Sequence, residues 1–169
     1  MVPEEGPSKM ATQGLFWPIA GVLAGGFTAA FTMLGIGLAF NFLEAGIPAI
    51  GAEYENKAIF RDWPGWSQSY MWAHPVWFGF VFALGFALVN RDRCQSGWGS
   101  AAGHGLAYGA LVFLVGSLPV FSLIYASFRV SPELVAVSWA ARNLTQYAAA
   151  GLVLGLVTRA WRLLCVGSS

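Results

Sequence analysis

Four long apolar runs separated by more polar segments, the first of them long, organise the chain. The first extends from about Phe16 to Phe40 and the second from about Tyr70 to Val89. The third extends from about Ala101 to Ser127, and the fourth from Pro132 to about Leu164. Crossing the hydrocarbon core of a bilayer takes about 20 mostly apolar residues, and each run reaches that length. With no water in the bilayer core, a spanning segment must bond its backbone internally, as an α-helix does. The pattern therefore predicts an all-α membrane protein: four transmembrane helices arranged as two helical hairpins, with one long outer loop. The expected organisation is a tail over 1–15, a single four-helix domain over 16–164 with its loop at 41–69, and a C-terminal tail over 165–169.

The segment ends carry matching signals. Trp17 and Pro18 suit the start of the first helix, since Trp prefers the membrane interface and Pro is tolerated in a first helical turn. The second helix is expected to stop at Asn90-Arg91-Asp92-Arg93. Ser131, Pro132 and Glu133 read as the N-cap, first residue and favourably placed acid of the fourth. The N-terminal stretch MVPEEGPSKMATQ has two acids and two prolines against one lysine. Together with an apolar run too long for a signal peptide, this predicts a retained first span. Lys9, Arg91, Arg93, Arg159 and Arg162 fall on one side of the predicted topology, and Lys57, Arg61 and Arg129 on the other. The excess predicts cytoplasmic termini in a bacterial inner membrane.

Composition agrees with lipid as the main solvent. Charged residues make up 10% of the chain and apolar residues 57%, with a mean hydropathy of +0.61, whereas soluble domains carry about 25% charge. A net charge of +1 gives no footprint for nucleic acid. Cys94 and Cys165 lack metal-ligand spacing and read as small apolar residues.

Small residues recur at spacings of four, which places them on one helix face where backbones can approach closely in lipid. Gly21, Gly25 and Ala29 do so in the first helix, and Gly79, Ala83 and Ala87 in the second. Gly105 and Gly109 follow in the third, and Gly151 and Gly155 in the fourth. These faces are expected to dock on partner helices. Phe78, Phe82 and Phe86 form a neighbouring stripe expected to face lipid, another subunit or a hydrophobic ligand. The segments GVLAGGFTAAF and GHGLAYGALVF hint at a duplicated hairpin.

Candidate chemistry is sparse. Ion and proton pathways place acids, lysines or histidines deep in the membrane, and no acid or lysine stands near the middle of any predicted span. Thr28 and Thr32 share a face and are expected to bond neighbouring backbone or helices. Arg142 is the one ionisable residue well inside a predicted helix, and with Ser138 and Gln146 it forms a polar stripe at spacings of four. Snorkelling to the interface competes there with pairing to a loop carboxylate or a neighbouring subunit. His74 and His104 are the only histidines. Imidazole ligates haem, and chlorophyll in a similar way, but the two lie at opposite depths and cannot share one haem. No cofactor is expected beyond bound lipid; a haem or chlorophyll on either histidine is the alternative.

The 41–69 loop carries six of the 17 charged residues, with Glu53, Glu55, Arg61 and Asp62 interleaved among Trp63, Trp66 and other aromatics. Such residues anchor protein interfaces or form a belt at the headgroups. The loop is thus a candidate contact for a peripheral partner. The segment EYENKAIFRDW, followed by HPVWFGFVFALGF, resembles an uncharacterised bacterial group of small multi-pass membrane proteins. The carrying residues are Tyr54, Asn56, Phe60, Arg61, Trp63, His74, Pro75 and Gly79. The resemblance implies four helices and lends no activity.

The functional expectation is a non-catalytic accessory subunit of a larger membrane complex, energy-converting in a photosynthetic or respiratory setting. Its partners would be lipids and other integral subunits. The alternative is a small homo-oligomeric transporter or channel for a neutral or lipophilic solute, lined by Thr28, Thr32 and Arg142. A lipid-active membrane enzyme using Glu53 or Asp62 is a third class.

Overall fold

The computed structural model describes residues 7–48, 50, 65–90, 97–119 and 133–166, with side chains described over 19–48, 50, 73, 75–89, 97–119 and 137–164. Those residues are helical apart from short turns. Helix α1 spans Pro7–Ala45, α2 Gly65–Asn90, α3 Trp98–Val112 and α4 Glu133–Val166. Among the described residues, three stretches are long and apolar enough to cross a membrane: Ile19–Ala45, Trp98–Ser117 and Val137–Leu164. Helix α2 has 26 residues, and its apolar stretch Pro75–Val89 is shorter.

Two helix boundaries differ from the sequence expectation. Helix α1 continues past Phe40 to Ala45, so Glu44 belongs to its last turn and not to the loop. Tight turns follow, with the Ile47 N–H donating to the Glu44 carbonyl at 3.0 Å and the Ile50 N–H to the Ile47 carbonyl at 3.0 Å. Helix α3 begins at Trp98, earlier than Ala101. Gly97 precedes it at φ 137°, a conformation that costs a glycine little. Beyond Val112 this helix widens into a π turn over Phe113–Ser117, where the Leu118 N–H donates to the Phe113 carbonyl. The Ser131 and Pro132 cap of α4 lies outside the described residues.

Helix α1 packs along α2 on one side and along α4 on another, and α3 packs along α4. The α1–α4 pair is antiparallel: Gly21 meets Trp161, Gly25 meets Leu154, Gly37 meets Gln146 and Glu44 meets Arg142. The α3–α4 pair is antiparallel too, with Gly155 on Ala101, Gly151 on Gly105 and Gly109 on Tyr147. In lipid the hydrophobic effect gives helices little reason to associate, so close van der Waals contact must do it. Glycine makes that approach available. A Cβ added at Gly105 would collide with the Gly151 carbonyl, and one at Gly155 with the Ala101 carbonyl. On the α1–α2 side, a Cβ at Gly79 would stand 2.6 Å from the Gly26 oxygen and 2.8 Å from the Ala30 Cβ.

These small faces are therefore closed by other helices of the same chain. This corrects the expectation that Gly79, Ala83, Gly105, Gly109, Gly151 and Gly155 await partner helices. The phenylalanine stripe is corrected as well. Phe82 and Phe86 are 2% and 1% exposed and belong to the core with Ala29, Met33, Ala101, Ala150 and Leu154. Tyr108 of α3 meets Phe82 tilted and Phe86 edge-on, with ring centroids 4.9 Å and 5.3 Å away, while Tyr147 of α4 lies 5.3 Å from Phe78. These rings fill the space between α2 and the α3–α4 pair, where α2 has little backbone contact with either. Tyr108 also donates its hydroxyl to the Phe82 carbonyl at 3.1 Å.

Candidate functional site

The polar groups of the bundle converge on one interface, that of α1 with α4. Ser138, Arg142 and Gln146 stand at spacings of four on α4, hence on one helix face. All three reach α1. The Ser138 hydroxyl donates to Glu44 Oε1 at 2.7 Å, and the Arg142 guanidinium pairs with Glu44 Oε2. One turn further along, the Gln146 side-chain amide donates to the Met33 carbonyl at 2.7 Å. Glu44 is 3% exposed, and the Arg142 side chain is 20% exposed. Both carboxylate oxygens therefore accept bonds from α4, which is what a buried carboxylate requires. Arg142 and Trp161 are 19 residues apart on α4, about 29 Å at 1.5 Å per residue. The ion pair thus sits near one end of the α1–α4 contact, with Gly21 and Trp161 near the other.

Gly37 belongs to this site, although nothing in the sequence marks it. A Cβ there would stand 2.7 Å from Gln146 Nε2, so glycine leaves the opening through which the amide reaches Met33. Glu44 was not singled out in the sequence, where pairing of Arg142 with a carboxylate of the 41–69 segment stood as the alternative to snorkelling; the structure makes Glu44 that carboxylate.

The remaining candidates stand apart. Thr28 and Thr32 share a face, and each hydroxyl donates to its own helix, to the Ala24 carbonyl at 2.7 Å and the Thr28 carbonyl at 2.8 Å. His104 Nδ1 lies 2.8 Å from the Ser100 carbonyl oxygen. The Ser100 hydroxyl lies 3.1 Å from the same nitrogen, so His104 is tied to its own helix one turn back. The backbone of His74 lies in α2, one residue before Pro75, and Trp66 is also in α2, near its start. Glu53, Glu55, Arg61, Asp62 and Trp63 lie outside the described residues, as does the wider interface expected of that loop. Gly21, Gly25 and Ala87 are on the inner sides of their helices: Gly21 receives the Trp161 ring at 3.0 Å and Gly25 the Leu154 methyl at 2.6 Å from an added Cβ, while Ala87 is half-buried.

One small face stays open. Gly99 and Gly103 are exposed, with nothing within 4 Å of an added Cβ, and Ala107 one turn on is exposed too. They occupy the opposite side of α3 from Ala101, Gly105 and Gly109.

No family model, no curated protein and no solved structure matches this chain.

Proposed function

We propose that this chain is a non-catalytic accessory subunit of a larger bacterial inner-membrane assembly, with α2 as a fourth span and both termini cytoplasmic. The observation that carries the reading is the open face of α3. A helix whose one small face closes on α4 through Gly105 and Gly109 carries a second, Gly99 and Gly103, that none of the described residues covers. In lipid, faces of small residues serve close helix packing, so this one suits a helix from another subunit. The polar stripe supports the same reading. Ser138, Arg142 and Gln146 bond to α1, and Thr28 and Thr32 to their own helix. The α4 stripe thus ties two helices together, and the threonine hydroxyls are spent on their own helix. The charged and aromatic residues expected between the first two helices, within 41–69, would offer contact for a peripheral partner, and the abundance of aromatics suits an energy-converting complex.

The test is the mass and composition of the native particle extracted in mild detergent. The proposal expects co-purifying integral subunits, which Gly103→Leu releases while the purified chain stays folded. A particle made only of this chain would replace the subunit reading with that of a homo-oligomeric transporter.

A further inference from the structure

We infer that the Glu44–Arg142 pair is a register lock between the two halves of the molecule, setting which alignment of α1 on α4 forms. The apolar part of that interface discriminates weakly between alignments. Gly21, Gly25 and Ala29 repeat every four residues along α1, so a slide of one turn, about 5.4 Å, offers α4 a similar surface. The polar part does discriminate. Between Ile19 and Ala45, α1 holds a single charged residue, Glu44. It faces a stripe on α4 with a single charge, Arg142. A slide of one turn would set Arg142 against Phe40 or Pro48 and leave both charges unpaired in apolar surroundings. It would also carry Gln146 away from Gly37, the position that admits it to the Met33 carbonyl. Replacing a buried ion pair with apolar residues is often neutral in stability, whereas removing one partner is severe. The attested use of such groups is the choice of one register over its neighbours. The inference concerns contacts inside one chain and stands independently of the subunit reading.

The test uses the full-length chain in membranes, with Cys94→Ser and Cys165→Ser and a reporter disulfide across α1 and α4. Gly25→Cys with Leu154→Cys reports the native alignment, and Leu154→Cys with Gly21→Cys or with Ala29→Cys reports a slide of one turn toward Phe40 or toward Pro48. Either Glu44→Leu or Arg142→Leu alone should lower the yield of folded protein by at least about tenfold, because each strands a buried charge. The reversed pair, E44R with R142E, should recover most of that yield and the native crosslink. The combined E44L and R142L variant should fold, yet divide its crosslinking between the native and slid reporters. The lock is overturned by any of three results: single variants that fold as well as wild type, a reversed pair as poor as the singles, or a double leucine variant that forms the native crosslink alone.

Discussion

The two sides of α4 hold their neighbours by different physics. Toward α3 the contact is glycine on backbone, with Gly151 and Gly155 against Gly105 and Ala101. Toward α1 it is directional, with Ser138, Arg142 and Gln146 reaching Glu44 and the Met33 carbonyl. The first kind sets how closely helices approach and tolerates little added volume. The second sets which residues meet and tolerates loss of volume, provided no charge is left alone. One helix therefore serves as spacer on one side and as aligner on the other.

The comparison breaks most sharply at the glycine side. Gly151→Leu would drive a side chain into the Gly105 carbonyl and the Gly109 N–H, and neither backbone group can rotate away. Overpacking typically costs about 1–3 kcal/mol, occasionally more, and this contact belongs at or above the upper end. The expected outcome is loss of the folded α3–α4 pair, seen as a collapse of the thermal unfolding midpoint in detergent. A midpoint within a few degrees of wild type would mean that the two helices are not so close.

The aromatic cluster should come next. Phe86 is 1% exposed, and Phe86→Ala removes roughly 100 Å³, which at about 24 cal/mol per Å³ of residual cavity is about 2 kcal/mol. The usual transfer contribution is absent because lipid is as apolar as the core. Leu88→Ala, two residues on and 75% exposed, should leave the unfolding midpoint unchanged. Equal losses at both positions would place Phe86 on the outside, as the sequence pattern alone suggested.

That misreading shows where sequence reasoning ends. Helical character followed from the long apolar runs, and the spacing of small residues revealed faces able to pack closely. Periodicity names a face but not its neighbour, so Gly105 and Gly151 could not be assigned to each other, nor Phe82 and Phe86 to Tyr108. The stripe of Ser138, Arg142 and Gln146 was legible as a pattern at spacings of four. Its acceptor was not, because hydropathy ends a helix where polarity begins. Asn41 and Glu44 looked like loop, yet a helix can continue through an acid whose charge is answered from across the interface. Gly37 was invisible for a related reason: its role depends on the tip of a side chain 109 positions away in the sequence.

On the aligning side the effects should be smaller and coupled. Gln146→Ala removes one bond to a backbone carbonyl, and side-chain hydrogen bonds within membrane bundles average about 0.6 kcal/mol. Gly37→Ala should cost more than that in the wild-type chain, since its Cβ would stand 2.7 Å from the amide. In the Gln146→Ala background the same substitution meets open space and should cost almost nothing. Unfolding free energies of the four chains form a double-mutant cycle. Additivity within about 0.3 kcal/mol would show that Gly37 has no part in admitting Gln146.

The smallest expected effect bears on function. Thr28→Val and Thr32→Val each remove a hydroxyl that donates to a carbonyl four residues back, at 2.7 and 2.8 Å. Those carbonyls stand at helical positions where backbone N–H groups already serve them, so the side-chain bond adds little. Valine keeps the branched shape and leaves no orphaned donor. Stability should move by less than about 0.5 kcal/mol, within the range of substitutions that disturb no named feature. The same pair would line the path if the chain carried a solute, and there a lost hydroxyl would change passage well before it changed folding. Reconstituted vesicles bearing the double variant therefore separate the two readings. If wild-type vesicles pass small neutral solutes and the threonine variant does not, while both unfold alike, the threonines line a path and the polar groups of this bundle do more than align it.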